Sequence, residues 1–154
     1  MLAGCAGAVS TGSFKGEAHQ VAERIASFQK DAGEGDQRKV CVDDLAATVR
    51  EAIGRSGHSC EEAVKEQLKA VEEIALAVKA VTVSGQRAAA KVESEWWGKA
   101  CLNELYLLKE GNQWRIDGVG GGCPPASRSA MTGRTAVQST TDTRRFESAA
   151  TTSR

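Results

Sequence analysis

Five cysteines are the residues of this sequence whose type and spacing most clearly allow chemistry. Two of them, Cys41 and Cys60, lie in the helical first half of the chain, and two, Cys101 and Cys123, lie in the strand-rich second half. Four cysteines can form disulfides in three different pairings. We predict the disulfides Cys41–Cys60 and Cys101–Cys123, each of which would close a loop of about 20 residues. Such disulfides would place the protein in an oxidising compartment, whereas free buried thiols would indicate a cytosolic protein.

A metal site is a competing interpretation of the same residues. His58 and Cys60 could bind a metal together with Cys41, but protein zinc sites usually contain closely spaced pairs such as C-x-x-C or H-x-x-x-H. Neither spacing occurs in the sequence. We therefore predict no metal site and no cofactor.

Catalysis would require a nucleophile beside a base, or two carboxylates within one cleft. The adjacent acids Asp43 and Asp44 are the nearest approach to such a pair outside the helix that begins near Ser59. They directly precede a helical segment, so we interpret Asp44 as its N-cap and Asp43 as a solvated residue. No catalytic residue is predicted.

Most of the aromatic surface belongs to four residues in the second half of the chain: Trp96, Trp97, Tyr106 and Trp114. These residues could line an apolar pocket between a sheet and its helices, which is a common form of small-ligand site. They could equally fill the core. The sequence leaves both interpretations open.

The elements that must position these residues change in type along the chain. Apolar residues recur at helical spacing over residues 13–33, again over 45–53, and after Ser59, where Glu62 completes a capping box. Asp36 is a candidate cap for a short helix in between. Two pairs of strand-like runs follow, around the short loops SGQ and EGN. This order predicts an α+β domain, with about three N-terminal helices packed on a curved four-stranded antiparallel sheet.

Composition narrows the classes of partner. The 20 Lys and Arg residues balance 20 Asp and Glu residues, so no net field attracts nucleic acid, and we predict no nucleic-acid partner. No apolar run is long enough to cross a bilayer. Residues 124–154 are rich in Ser, Thr and Arg and poor in large apolar residues, which predicts a disordered tail.

Four stretches carry a resemblance to a known group of proteins: VAERIASFQKDAGEGDQRKVCVDDLA, SCEEAVKEQL, VTVSGQRAAAKV and LYLLKEGNQWRIDGV. Together they resemble the small lipoproteins of the NTF2-like superfamily, close to the DUF4878 type seen in actinobacteria. The resemblance covers residues 14–120. It implies an NTF2-like, cystatin-like cone in which helices pack on a strongly bent sheet around a cavity.

The resemblance also implies where an enzyme of this fold would carry its reactive groups. Isomerases and cyclases of the superfamily place acidic residues or His inside the cavity. In this sequence Asp117 alternates with Trp114 and Ile116 along a strand, so we expect its carboxylate to face solvent. This departure argues against catalysis.

The first residues match a bacterial lipidation signal. Leu2-Ala3-Gly4-Cys5 resembles a lipobox, in which the cysteine becomes diacylated after cleavage. The basic segment and apolar run that normally precede it are missing, so we expect that the chain as written begins too late. The predicted organisation is a lipobox remnant and spacer over residues 1–12, the α+β domain over 13–123, and the tail.

These observations lead to one main hypothesis and two alternatives. The main one is an extracytoplasmic lipoprotein, anchored to the cell membrane through Cys5, that acts as a non-enzymatic binding or envelope-associated module. The first alternative is an isomerase or cyclase acting on a small apolar ligand in the cone. The second is an interaction domain that forms a homodimer through the outer sheet face.

Overall fold

The computed structural model describes residues 11–69, 74–96 and 99–121. It confirms the predicted α+β class, because helices precede an antiparallel sheet with the strand order β1-β2-β3-β4. The helical elements are α1 (Glu17–Gly33), α2 (Gln37–Lys39), a π-helical turn (Val40–Asp44), α3 (Ala47–Arg55) and α4 (Cys60–Lys69). The strands are β1 (Leu76–Ser84), β2 (Arg87–Trp96), β3 (Lys99–Glu110) and β4 (Gln113–Gly121).

Helix α1 packs its apolar stripe against the sheet. Val21, Ala22 and Ile25 are fully buried, as expected for residues that recur at helical spacing. The helix begins after Gly16, later than the predicted start near residue 13, and Gly16 has a positive φ of 59° and provides no side-chain cap. The opposite face of α1 is polar.

Local capping signals in the sequence gave two correct helix starts. The carboxylate of Asp36 accepts a hydrogen bond from the Lys39 backbone N–H at 3.0 Å, as expected of an N-cap. At α4 the predicted capping box is confirmed, since the Glu62 N–H donates to Ser59 Oγ and the Ser59 N–H donates to Glu62 Oε2, both at 3.2 Å.

Both predicted hairpins are present. Gly85 and Gly111 stand at the start of the two connections with φ values of 59° and 62°, a conformation that glycine adopts without strain. Alternate residues of each strand face the helices and form the core together with α1. These inward, buried residues are Val78, Ala88, Ala90, Val92, Leu105, Leu107, Trp114 and Ile116.

A π-helical turn joins the helical layer to the sheet. The Leu45 N–H donates to the Val40 carbonyl at 3.0 Å, which widens the turn by one residue relative to an α-helix. Leu45 then pairs in parallel with Ile116, and the Ala46 N–H donates to the Ile116 carbonyl at 2.9 Å. The turn therefore lies beside β4 as a short extension of the sheet.

The predicted disulfide Cys41–Cys60 is confirmed, and it joins the π-helical turn to the first residue of α4. Cys101 is also disulfide-bonded. Its predicted partner Cys123 lies outside the described residues, as do Cys5, Trp97 and the predicted tail. No helix within the described ranges is long and apolar enough to cross a membrane.

Candidate functional site

A groove of about 300 Å³ separates the polar face of α1 from the β3–β4 connection. We call it the α1 groove. Its lining consists of Gln20, Glu23, Arg24 and Ser27 from α1, and of Asn112, Gln113 and Trp114 from the connection and the start of β4. The four helix residues follow the spacing i, i+3, i+4 and i+7, so one face of α1 presents all of them to the groove.

An ion pair beneath the groove fixes the position of Arg24. Its Nη1 donates to Asp44 Oδ1 at 2.9 Å, and the Asp44 side chain has no exposed surface, while 18% of the Arg24 side chain is exposed. Arg24 thus reaches from a buried carboxylate to the groove surface. With one N–H group bound to Asp44, the guanidinium retains further donors for a ligand.

This ion pair corrects the predicted role of Asp44, which does not cap α3. The π-helical turn directs Asp44 inward. The N-cap position of α3 is occupied by Ala46, whose side chain cannot accept a hydrogen bond from the helix. The carboxylate of Glu110, far along the chain, accepts the Ala47 N–H at 2.7 Å instead. A long-range contact therefore replaces the local cap that the sequence suggested.

Burial determines the charge state of Asp44. Its desolvation raises the pKa from 3.8 to about 6, although the hydrogen bond and charge of Arg24 act in the opposite direction. Among the described residues, Asp44 Oδ2 has no hydrogen-bond partner. The carboxyl is therefore ionised at neutral pH and takes up a proton at mildly acidic pH.

The β3–β4 connection is held in place at both ends. Lys109 forms an ion pair with Glu17 of α1, and its Nζ lies 5.6 Å from the centroid of the Trp114 ring. On the other side, Arg115 Nε lies 3.2 Å from Glu110 Oε2. The Lys109–Glu17 ion pair joins the connection to α1, and the other two contacts brace β3 against β4 within the hairpin.

Trp114 forms the inner wall of the groove. The residue is only 2% exposed, and its Nε1 has no hydrogen-bond partner within the described part of the chain. A buried indole N–H normally has an acceptor, because its desolvation otherwise costs about 1–3 kcal/mol. The indole N–H of Trp114 is therefore an unpaired donor buried behind the groove wall.

The four aromatic residues proposed as a cavity lining do not come together. Trp114 faces the helices. It stands two residues before the buried Ile116 on β4 and therefore points to the same face of the sheet, and the pairs Lys109–Trp114 and Leu107–Ile116 belong to one continuous register. Tyr106 precedes Leu107 on β3 and points to the opposite face, where 42% of it is exposed. Trp97 and the side chain of Trp96 lie outside the described residues. Trp114 lines the groove without them.

The remaining predicted features also have definite places. Asp117 accepts a hydrogen bond from the Thr48 hydroxyl and is partly exposed. His19 lies 3.2 Å from Glu23 at the N-terminal half of α1, and His58 is exposed before α4. Within the described ranges, no group of three or more His, Cys, Asp or Glu side chains could hold a metal ion.

Sequence reasoning missed the polar face of α1. Its signal was present, because Gln20, Glu23, Arg24 and Ser27 recur at helical spacing beside the apolar stripe. Such a stripe is usually only a solvated helix face. Its significance depends on the β3–β4 connection, which is brought alongside it from 85 or more residues away.

Comparison with known proteins identifies the family. A family model described as "putative lumazine-binding" matches residues 34–117, which is more than half of the chain. This family has the NTF2-like fold that the helices and antiparallel sheet of the structure also show. No curated protein matches the chain. The matched range includes the π-helical turn, β1 to β3, the first five residues of β4 and the β3–β4 side of the groove. The chain therefore belongs to the family described as putative lumazine-binding.

Proposed function

We propose that the protein is a small-molecule binding module that takes a flat, hydrogen-bonding heterocycle of the lumazine class in the α1 groove. One observation carries the proposal: a guanidinium and three side-chain amides line one groove of about 300 Å³. Ligand sites combine such a concave shape with a few fixed polar groups. The family description points to the same class of ligand.

The groove chemistry matches that of a pteridine-dione. Lumazine is a planar bicyclic ring whose edge alternates carbonyl acceptors with ring N–H donors. The amides of Gln20, Asn112 and Gln113 each supply both a donor and an acceptor, and Arg24 supplies donors only. The sequence suggested a small apolar ligand, but the lining of the groove is more polar than such a ligand would require. Recognition would therefore rest on hydrogen bonds at the ring edge.

Calorimetric titration of the protein with lumazine tests the proposal. We expect saturable binding with one ligand per chain, and we expect Gln20→Leu to weaken it about fivefold, because one hydrogen bond contributes about 1 kcal/mol. Gln20 is exposed, so the variant should fold normally. Gln67→Leu, an exposed glutamine on α4, is the matched control.

Two outcomes would contradict this proposal. The first is a lack of saturable heat up to millimolar lumazine with protein whose unfolding curve is normal. The second is an equal loss of affinity in the Gln20→Leu and Gln67→Leu variants, which would place the ligand outside the groove.

We further propose that the mature protein is an extracytoplasmic lipoprotein anchored through Cys5. The support is the sequence Leu2-Ala3-Gly4-Cys5 together with the disulfide Cys41–Cys60, which is typical of an oxidising compartment. The closer assignment to the DUF4878 type and the homodimer through the outer sheet face stay predictions.

Membrane fractionation tests the anchor. With an export signal placed before residue 1 in a bacterial host, we expect the protein to enter the membrane fraction and Cys5→Ala to release it, because a diacylated cysteine supplies two acyl chains. Ser13→Ala should stay membrane-bound. Membrane association that persists in Cys5→Ala would disprove the proposal.

A further inference from the structure

We propose that the outer face of the sheet carries a second binding site, separate from the α1 groove, for an aromatic carboxylate. A trough of about 380 Å³ lies there, between the β1–β2 side of the sheet and the middle of β3. We call it the outer trough. The lining residues that carry the argument are Thr82, Ser84, Arg87, Ala89, Tyr106 and Asp117.

Strand register places five of these residues, all except Asp117, in two adjacent rows on the outer face. Thr82 pairs with Ala89, and Ala89 with Tyr106, so these three form one row across β1, β2 and β3. Ser84 and Arg87 pair with each other in the next row. The small side chain of Ala89 leaves space between the larger residues, and this space is the floor of the outer trough.

Tyr106 provides a flat aromatic surface at one side. A Cβ on Gly120 would lie only 3.0 Å from its Cε2 and Oη atoms, and a Cβ on Gly118 would lie 3.8 Å from its Cδ2. The ring therefore lies against the bare backbone of β4. Its hydroxyl donates to Glu104 Oε2 at 2.8 Å, which fixes the ring further. The backbone of β4 therefore covers one side of the Tyr106 ring, and the exposed part of the ring can stack against an aromatic ligand.

The outer trough is lined by one positively charged side chain, Arg87, and one acidic side chain, Asp117. The Arg87 guanidinium is exposed and makes no ion pair or hydrogen bond within the described part of the chain. Asp117 is held from α3 by the Thr48 hydroxyl. A carboxylate would be attracted to Arg87 and repelled by Asp117, whereas Asp117 would accept a hydrogen bond from a donor elsewhere on the ligand.

The combination defines the ligand class. An aromatic ring would stack on Tyr106, its carboxylate would bind Arg87 and the hydroxyls of Thr82 and Ser84, and a donor at its far end would reach Asp117. The compound 4-hydroxybenzoate has these three features and is a suitable probe. Its neutral relative 4-hydroxybenzamide has the same shape without the charge.

Tyr106 can report binding directly, because it is the single tyrosine of the chain. In protein labelled with ¹³C only in tyrosine rings, every aromatic tyrosine signal belongs to Tyr106. We expect 4-hydroxybenzoate to shift these signals saturably, since a stacked ring changes the local magnetic field. We expect 4-hydroxybenzamide to bind at least tenfold more weakly.

A pair of charge variants locates the carboxylate. Arg87→Gln should weaken 4-hydroxybenzoate binding about tenfold, and it should leave lumazine binding unchanged because Arg87 does not line the α1 groove. Lys91→Gln is the matched control, since Lys91 is an exposed cation on the same strand and face but lies outside the trough.

The proposal fails if the Tyr106 signals do not shift saturably at millimolar 4-hydroxybenzoate. It also fails if 4-hydroxybenzamide binds equally well, or if Arg87→Gln and Lys91→Gln have the same effect, because a specific carboxylate contact would then be absent. A failure of lumazine to bind would leave this result unaffected, so the two sites are tested independently.

Discussion

Replacing Arg24 with methionine should lower the free energy of unfolding by about 3–5 kcal/mol near neutral pH, the usual cost of leaving a buried charge without its partner. Methionine retains the length of the side chain and removes its charge. The variant leaves the carboxylate of Asp44, which has no exposed surface, without the 2.9 Å contact to Arg24 Nη1. Urea unfolding followed by circular dichroism measures the change.

The size of this loss should depend on pH. Burial raises the pKa of Asp44 from 3.8 to about 6, so the folded protein retains a proton that the unfolded chain releases between these values. The stability contributed by this proton is complete below pH 3.8 and is lost as the pH rises through about 6. Without Arg24 the pKa of Asp44 rises further, and the loss continues to higher pH. Arg24→Met should therefore cost more at about pH 8 than at about pH 5.

A double-mutant cycle separates the ion pair from other effects of the substitution. Asp44→Asn has nearly the same shape as the protonated acid and cannot ionise. In the Asp44→Asn background, Arg24→Met should cost much less and show the same cost at both pH values. An equal cost of Arg24→Met with and without Asp44, or a cost that does not change with pH, would show that the charge of Asp44 does not determine the stability.

The parts of the fold that sequence predicted correctly depend on short-range signals. Ser59 and Glu62 are three residues apart and form the capping box that their spacing indicates. Gly85 and Gly111 stand in the two hairpin connections, where a positive φ is required. In each case the residues that decide the conformation are close together in the chain, so the pattern can be recognised without knowledge of the tertiary structure.

The role of Asp44 could not be predicted, because it depends on contacts across the molecule. By local rules an acid before a helix is an N-cap. The π-helical turn rotates Asp44 towards Arg24, which is 20 residues earlier. At the N-terminus of α3, the carboxylate of Glu110 accepts a backbone hydrogen bond instead. A one-residue widening of a turn carries little signal in the sequence, yet it changes which side chain is buried.

The faces of the aromatic residues could have been predicted in part. Along β3, Leu105 and Leu107 alternate with Tyr106, so an inward-facing leucine pair implies an outward-facing tyrosine. Tyr106 and Trp114 share only their aromatic character, and their positions on the strands place them on opposite faces of the sheet. The location of the outer trough depends in addition on the two glycines of β4 that lie under the Tyr106 ring.

Removing the Cys41–Cys60 bridge should reduce the free energy of unfolding by about 3 kcal/mol, the chain-entropy value for a closed loop of this length. The two residues are 19 positions apart, and the bridge fastens α4 to the π-helical turn that carries Asp44. We expect the double variant Cys41→Ala, Cys60→Ala to show this loss in urea unfolding. Keeping the wild-type disulfide oxidised during the measurement gives the reference.

Reduction of the wild-type protein provides the control, because it breaks the bridge without changing the sequence. The double variant should be as stable as reduced wild-type protein to within about 1 kcal/mol, the small difference reflecting the lost packing of the Cys41 thiol, which is 4% exposed as a residue. Cys101 is also disulfide-bonded, so the reductant must be present in both samples. If the double variant without reductant is as stable as oxidised wild-type protein, the bridge does not hold α4 against the turn, and the folded state relies on packing alone.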